Sequence, residues 1–212
     1  QPEVSQMIMK ADNHEYGVLF DAHLHTYFDF HDGSITPRQL VRTTKRKGLN
    51  WVTAMSHDTV LGISRIKACA RQYKLPVLPA IEISTGYNHI LAYGIQEWTL
   101  AKDCWDPEII IEKLREQDCA IYLSHPAFKP LEWAWTPDIV THLDIDGIEW
   151  LNGSNYWLNG KVKEWFKNWE KGKIAGSDAH HASQIGYTYT QVPVETDDPD
   201  EVIAYLQKGK CY

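Results

Sequence analysis

Strand alternating with helix along most of the chain predicts an α/β protein with a mostly parallel sheet and helices outside it. Two observations carry the prediction. Seven short β-rich apolar runs recur, most of them separated by amphipathic stretches of helical period. The runs also end on histidines and acids, so these groups collect at one end of a barrel, where such folds build active sites. The 212 residues suit a single domain, 1–212, because α/β barrels of about 200–250 residues commonly form one unit.

The elements follow in order. GVLFDAH is the first strand and carries Asp21, His23 and His25 at its end. In TPRQLVRTTKRKG, Thr36 is the N-cap of a helix, Pro37 its first residue and Gly48 its stop. NWVTAMSH ends at His57 and leads into the helical GISRIKACARQYK. PVLPAIEIS carries Glu82, and its link to HILAYGI is too short for a crossover helix. A local hairpin is therefore expected there, leaving His89 beside Glu82. After the helix DPEIIIEKLREQD come the strand CAIYLSHP with His125 and the strand DGIEWLN with Glu149. A helix, KVKEWFKNWEKG, precedes the last strand, GKIAGSDAH, with Asp178 and His180.

Bulk composition narrows the function classes. A hydrophobic share of 43% and a charged share of 23% are those of a globular protein. The net charge of -7 argues against general adhesion to nucleic acid or anionic membrane, although bound cations reverse the local sign and admit phosphate. The four cysteines show no C-x-x-C spacing, which excludes a zinc knuckle and reads as reduced thiols in a cytoplasmic protein. No basic, apolar leader and no run of about 18 apolar residues occurs, so no membrane partner is expected.

Spacing sharpens the site. Residues i and i+2 of a strand point the same way, so Asp21, His23 and His25 share a face, as do Asp178 and His180. Two adjacent imidazoles suit one metal ion. An H-x-H triplet alone is weak evidence, since roughly 0.5 such triplets arise by chance at this histidine content. Repeated placement of His or acid at strand ends is much harder to reach by chance, because β-runs usually end in turn residues.

Several neighbours have plainer readings. His14 and His142 are surface or structural histidines, and His181 faces away from His180. Asp21 holds an imidazole or the strand end more readily than it binds metal. Asp58 caps the next helix or takes part in catalysis. Trp133 and Trp135 pack rather than stack on a ligand. Lys129, in the same loop, is an exposed lysine in reach of a phosphate.

Taken in order from about Phe20 to Gly186, the motifs DAHLHT, SHDTVLG, PAIEIST, HILAYG, SHP, GIEWLN and GSDAHHASQIG resemble those of the PHP family, the polymerase and histidinol phosphatase phosphoesterases. The resemblance implies a distorted, TIM-like (βα)7 barrel holding a three-metal cluster. It places His23, His25, Glu82 and Asp178 on one ion, with Glu82 bridging to a second held by His89 and His125. His31, His57 and His180 fall on the third, with Asp32 a close alternative to His31. One motif departs from the family pattern T-D-H: Ser56 precedes His57, removing a supporting carboxylate but no ligand. HDTVLG resembles the branch acting on nucleotides and nucleic-acid ends, yet the chain shows no inserted subdomain and few arginines near its motifs.

The donor chemistry agrees with this. Nitrogen and carboxylate ligands without thiolate suit Mn, Zn or Fe, two to three ions in all. The expected reaction is hydrolysis of a phosphomonoester by a metal-bound hydroxide, on a small phosphorylated metabolite such as histidinol phosphate or on a nucleotide. Glu82, Asp178 and His180 form the catalytic set: Glu82 bridges, while Asp178 and His180 are candidates for protonating the leaving oxygen. Two rivals stand beside this reading. A metal-dependent amidohydrolase also opens with H-x-H but commonly bridges its metals with a carboxylated lysine. A PHP-like domain kept as a non-catalytic binding module tends to lose ligands, whereas all nine are present here.

Overall fold

A computed structural model describes residues 17–29, 33–99, 105–128 and 130–212. His14, His31, Asp32 and Lys129 lie outside the described residues. The elements are β1 (Val18–Phe20), α1 (Pro37–Arg46), β2 (Val52–Ala54), α2 (Ile63–Arg71), β3 (Val77–Ser84), β4 (His89–Tyr93), α3 (Pro107–Arg115), β5 (Ala120–Leu123), α4 (Pro137–Val140), β6 (Gly147–Asn152), α5 (Asn159–Trp165), β7 (Gly172–Gly176), β8 (Thr190–Val192) and α6 (Pro199–Gln207). Each expected strand is present. The α1 cap is a full capping box, with Thr36 accepting from the Gln39 backbone and the Gln39 side chain accepting from the Thr36 backbone. β8, α4 and α6 were not anticipated.

Six strands form one sheet in the order β2-β3-β4-β5-β6-β7, which curls into a half-barrel. β2–β3, β5–β6 and β6–β7 are parallel pairs, and β4 runs antiparallel to both of its neighbours. The expected hairpin is therefore real, with His89 opposite Ser84. Of the distorted, TIM-like (βα)7 barrel expected from the motifs, the structure shows a mixed α/β fold with this curled six-strand sheet. β1, only three residues long, pairs antiparallel with β8 in a separate two-stranded sheet. Past Phe20 the chain meets the segment after β7 through the bridge Leu24 to Ala179.

Strand alternation divides the sheet into two faces. The outer face bears Ile81, Ile83, Ile90, Ala92, Ile121, Leu123 and Ile148, packed with Ile110, Ile111 and Leu114 of α3 and Val162 of α5. Leu78, Ala80, Leu91, Tyr93, Tyr122 and Ile174 occupy the inner face, together with Phe20 and with Val202 and Leu206 of α6. Tyr122 donates to the Leu206 carbonyl at 2.7 Å and so anchors α6 to the sheet. One step further along the inner face come Glu82 on β3, His89 on β4, Ser124 just past β5 and Glu149 on β6. The inner face thus changes from apolar to ligand-bearing at one end of the sheet. A third cluster, with Leu40, Val41, Ile66 and Ala70, seats α1 and α2 on Val52 and Ala54 of β2.

Gly176 ends β7 on the inner face, where a Cβ would collide with the Cβ and backbone nitrogen of His23. Gly176→Ala is expected to cost about 1–3 kcal/mol, as overpacking against backbone does. Thermal unfolding followed by circular dichroism should therefore show a Tm lowered by several degrees, and an unchanged Tm would mean that the His23 segment is not pinned here.

Candidate metal centre

The centre is built around Glu82, whose carboxylate is fully buried. Its Oε2 lies 3.1 Å from His23 Nε2, 3.2 Å from His25 Nε2 and 3.1 Å from His57 Nε2. Oε1 lies 3.0 Å from His89 Nδ1 and 3.4 Å from His125 Nε2, and it accepts from Ser124 Oγ at 2.9 Å. Five imidazoles thus face one carboxylate. Asp178 closes another side of the pit, its Oδ1 standing 3.1 Å from His25 Nε2 and 3.6 Å from His23 Nε2. His23, His25, His125 and Asp178 are buried, whereas His57, His89 and His180 are partly exposed and form the rim.

The outer ring nitrogens explain why the inner ones converge. His23 Nδ1 lies 3.0 Å from Glu149 Oε1, and His25 Nδ1 lies 3.0 Å from Asp29 Oδ2. A proton on each Nδ1 satisfies those carboxylates and leaves both Nε2 atoms as lone pairs. The two Nε2 atoms sit only 3.2 Å apart, with Glu82 and Asp178 oxygens beside them. Acceptors facing acceptors in a buried pit need a cation or extra protons between them. Glu82 Oε2 finds no oriented hydrogen bond despite its three nitrogen neighbours, which fits a metal-ligand atom. Four overlapping sets of donors lie within 4.8 Å of one another: His23, His25 and Glu82; His23, His125 and Asp178; His25, Asp178 and His180; and His57, Glu82 and His89.

Protons take the cation's place in the metal-free protein. Burial opposes ionisation of Glu82, yet the imidazoles of His23, His89 and His57 hold its carboxyl well below the usual range. Burial likewise opposes charging His25, but hydrogen bonds to Asp178 and Asp29 and the field of Glu82 push it up to about 10. His23 moves well upward against its burial because Glu82, Asp178 and Glu149 surround it. His57 moves the other way, lowered chiefly by burial.

Eight of the nine anticipated ligands meet in this pit, and the ninth, His31, lies outside the described residues. The grouping differs from the arrangement implied by the motifs, and His125 shares its donor set with His23 and Asp178. His57 shares its donor set with Glu82 and His89, while His180 shares one with His25 and Asp178. Asp178 and His180 do not lie on a strand: β7 ends at Gly176, and Asp178 takes a left-handed conformation with φ 53°. Its Oδ2 accepts from Asn152 Nδ2 at 3.3 Å and Asn155 Nδ2 at 3.1 Å. Burial notwithstanding, the field of His23 and the bond to His25 hold the Asp178 carboxyl far below its usual range. That environment suits an ionised ligand better than a proton source.

The supporting residues divide between those expected and those overlooked. Asp21 holds the strand end, accepting from the Ser177 backbone and hydroxyl, the Gly186 backbone and the His23 backbone. Asp58 neither caps α2 nor faces the pit; its carboxylate binds the backbone and hydroxyl of Ser84. Trp135 is buried and donates to the His89 carbonyl at 3.0 Å, while Trp133 is exposed. His142 and His181 are exposed, as expected. Two functions were missed. Asp29 bridges His25 to the backbone nitrogen of His57, and so replaces the carboxylate that Ser56 removes. Asn152 and Asn155 fix Asp178, but strand alternation puts Asn152 on the face opposite Glu149. A β-bulge at Trp150 reverses that parity, so Asn152 Nδ2 reaches Glu149 Oε2 at 3.0 Å.

Comparison with known proteins finds several similar chains. Residues 157–211 match the family described as PHP-associated. An uncharacterized protein of Methanocaldococcus jannaschii is 29% identical over 160 residues, covering 68% of this chain and 91% of the relative. A two-domain Bacteroides vulgatus protein, described as containing a PHP-like metal-dependent phosphoesterase, superposes with a TM-score of 0.75 at 17% identity, covering 95% of this chain and 68% of that one. An amidohydrolase of Chromobacterium violaceum superposes with a TM-score of 0.63 at 14% identity, covering 80% of this chain and 90% of that one.

Metal binding should displace the protons now held between the donors. With His25 raised to about 10, its imidazole is charged at pH 7 and must lose a proton before Nε2 can coordinate. Titrating zinc into weakly buffered metal-free protein is expected to release at least one proton per chain. Affinity should climb with pH up to about 10, and pH-independent binding without proton release would contradict this charge state.

Proposed function

We propose that this chain belongs to the PHP family and is a metal-dependent phosphoesterase acting on phosphomonoesters, a reading supported by the match of residues 157–211 and by the fold shared with a PHP-like protein. The observation that carries the reading is the buried Glu82 carboxylate with five imidazole nitrogens within 3.4 Å of it and Asp178 alongside. His23, His25, Glu82 and Asp178 would hold one divalent ion, and Glu82, His89 and His125 a second. His57 and His180, with His31, would hold a third. Divalent ions bound there supply Lewis acidity and lower the pKa of water toward neutrality.

The chain's own residues do the rest. Glu82 ties the two halves of the pit together through its two oxygens. Asp29 and Glu149 keep His25 and His23 in the tautomer whose Nε2 faces inward. Asn152 and Asn155 hold Asp178 by one oxygen and leave the other facing the pit. His180, partly exposed at the rim, lies with Nδ1 3.0 Å from the Asp178 carbonyl, a contact that would turn Nε2 toward an ion. The substrate is a small phosphorylated molecule, a nucleotide or nucleic-acid end being the larger alternative. The three described cysteines, Cys69, Cys119 and Cys211, are free, which supports a reducing, cytoplasmic setting. No described helix is long and apolar enough to cross a membrane.

The amidohydrolase neighbour defines the competing reading, since the same donors activate water toward an amide. Against it, a glutamate rather than a lysine occupies the bridging position. Protein loaded with manganese or zinc should carry two to three ions and hydrolyse phosphate monoesters, with activity lost on chelation. Amide hydrolysis without phosphatase activity would overturn the phosphoesterase assignment.

Two variants separate the parts of the cluster. Glu82→Ala removes the group shared by the donor sets, so both bound metal and activity should fall to background. His57→Ala is expected to keep two ions per chain while losing rate and substrate affinity. Elemental analysis and steady-state kinetics on folded variants distinguish the outcomes, and full metal with full activity in Glu82→Ala would remove Glu82 from the centre.

A further inference from the structure

Glu149 is buried on the inner face of β6 and is absent from the donor sets of the pit. It nevertheless touches two ligands at once. Oε1 lies 3.0 Å from His23 Nδ1, while Oε2 accepts from the His125 backbone nitrogen at 2.7 Å and from Asn152 Nδ2 at 3.0 Å. His23 and His125 stack with ring centroids 5.6 Å apart. His125 is also one of few non-glycine residues with a positive φ, at 22°, a conformation that needs support from its surroundings.

We infer that Glu149 is a positioning residue that fixes the His23 tautomer and the His125 backbone together, so that ligands on opposite sides of Glu82 are set by one carboxylate. The reasoning is a count of donors. Three N–H groups point at Glu149: the imidazole N–H of His23, the backbone N–H of His125 and the amide of Asn152. Two acceptor oxygens serve all three, and a carboxylate is the side chain that supplies two acceptors and no donor. Asn152 in turn reaches Asp178 Oδ2, so the network extends to a further ligand.

Glutamine in this place is nearly isosteric and fails in either orientation. With its amide nitrogen toward His23, it forces the proton from Nδ1 to Nε2 and removes the inward lone pair. Turned the other way, its amide nitrogen meets the His125 N–H and the Asn152 amide, donor against donor. The inference rests on the metal reading of the site, and the test keeps the two apart.

The test is zinc affinity, measured by competition with a chromophoric chelator, together with the absorption spectrum of the cobalt-loaded protein. Glu149→Gln is expected to fold, to bind zinc about 10–100-fold more weakly, as loss of a ligand-orienting partner does, and to alter the cobalt spectrum. A purely structural role would lower Tm but leave affinity and spectrum as in the unsubstituted protein, and that result would overturn the inference. If the unsubstituted protein itself bound no zinc, the metal reading would fall, and this inference with it. Should Glu149→Gln not fold, nitrogen-15 NMR of histidine-labelled, zinc-loaded protein decides. A proton on His23 Nδ1 supports the assignment, and a proton on Nε2 overturns it.

Discussion

A carboxylate buried among imidazole nitrogens sets the terms for this structure. Burying an ionised group is costly unless charge and hydrogen bonds compensate it. Glu82 is fully buried, with one oxygen facing His23, His25 and His57 and the other facing His89, His125 and Ser124. Such a group is favourable only with positive charge among its neighbours. Protons supply that charge in the metal-free chain, and divalent ions supply it more effectively because each accepts several lone pairs at once.

The sheet delivers these groups by keeping its inner face apolar almost to the strand ends. Leu78, Ala80, Leu91, Tyr93 and Tyr122 pack beneath the pit, and α6 covers them with Val202 and Leu206. A low-dielectric floor strengthens every interaction above it. Two departures from regular strand geometry complete the arrangement. β4 runs backwards, so its first residue, His89, stands at the end where the parallel strands finish. The bulge in β6 brings Glu149 and Asn152 to one side although their spacing places them on opposite sides.

The acidic residues near the pit serve two purposes that their chemistry alone does not separate. Glu82 and Asp178 face the inward ring nitrogens, while Asp29 and Glu149 take the outward ones. Asp21 touches neither and ties together the backbone after β1 and after β7. Each carboxylate is defined by what donates to it. Asp21 receives backbone and hydroxyl donors; Asp178 receives two amides on one oxygen and leaves the other to the pit.

The strands, the α1 cap, the hairpin and the convergence of His23, His25, His57, Glu82, His89, His125, Asp178 and His180 were legible in the sequence, because side-chain period and short connections are local properties. What the sequence by itself determined is the set of ligand types and the end of the sheet where they gather. Only the tertiary structure decided that six strands share one curled sheet while β1 pairs with β8, since that follows from ladders between distant segments. It also decided which acids face the inward ring nitrogens and which face the outward ones. Asp29 and His25 are four residues apart, yet the bond from Asp29 to His57 spans 28 positions, and Glu149 meets His23 across 126. Such partners share no periodicity, and the Trp150 bulge inverts the strand rule that assigns Asn152 its face, so the roles of these residues emerge only when the chain is folded.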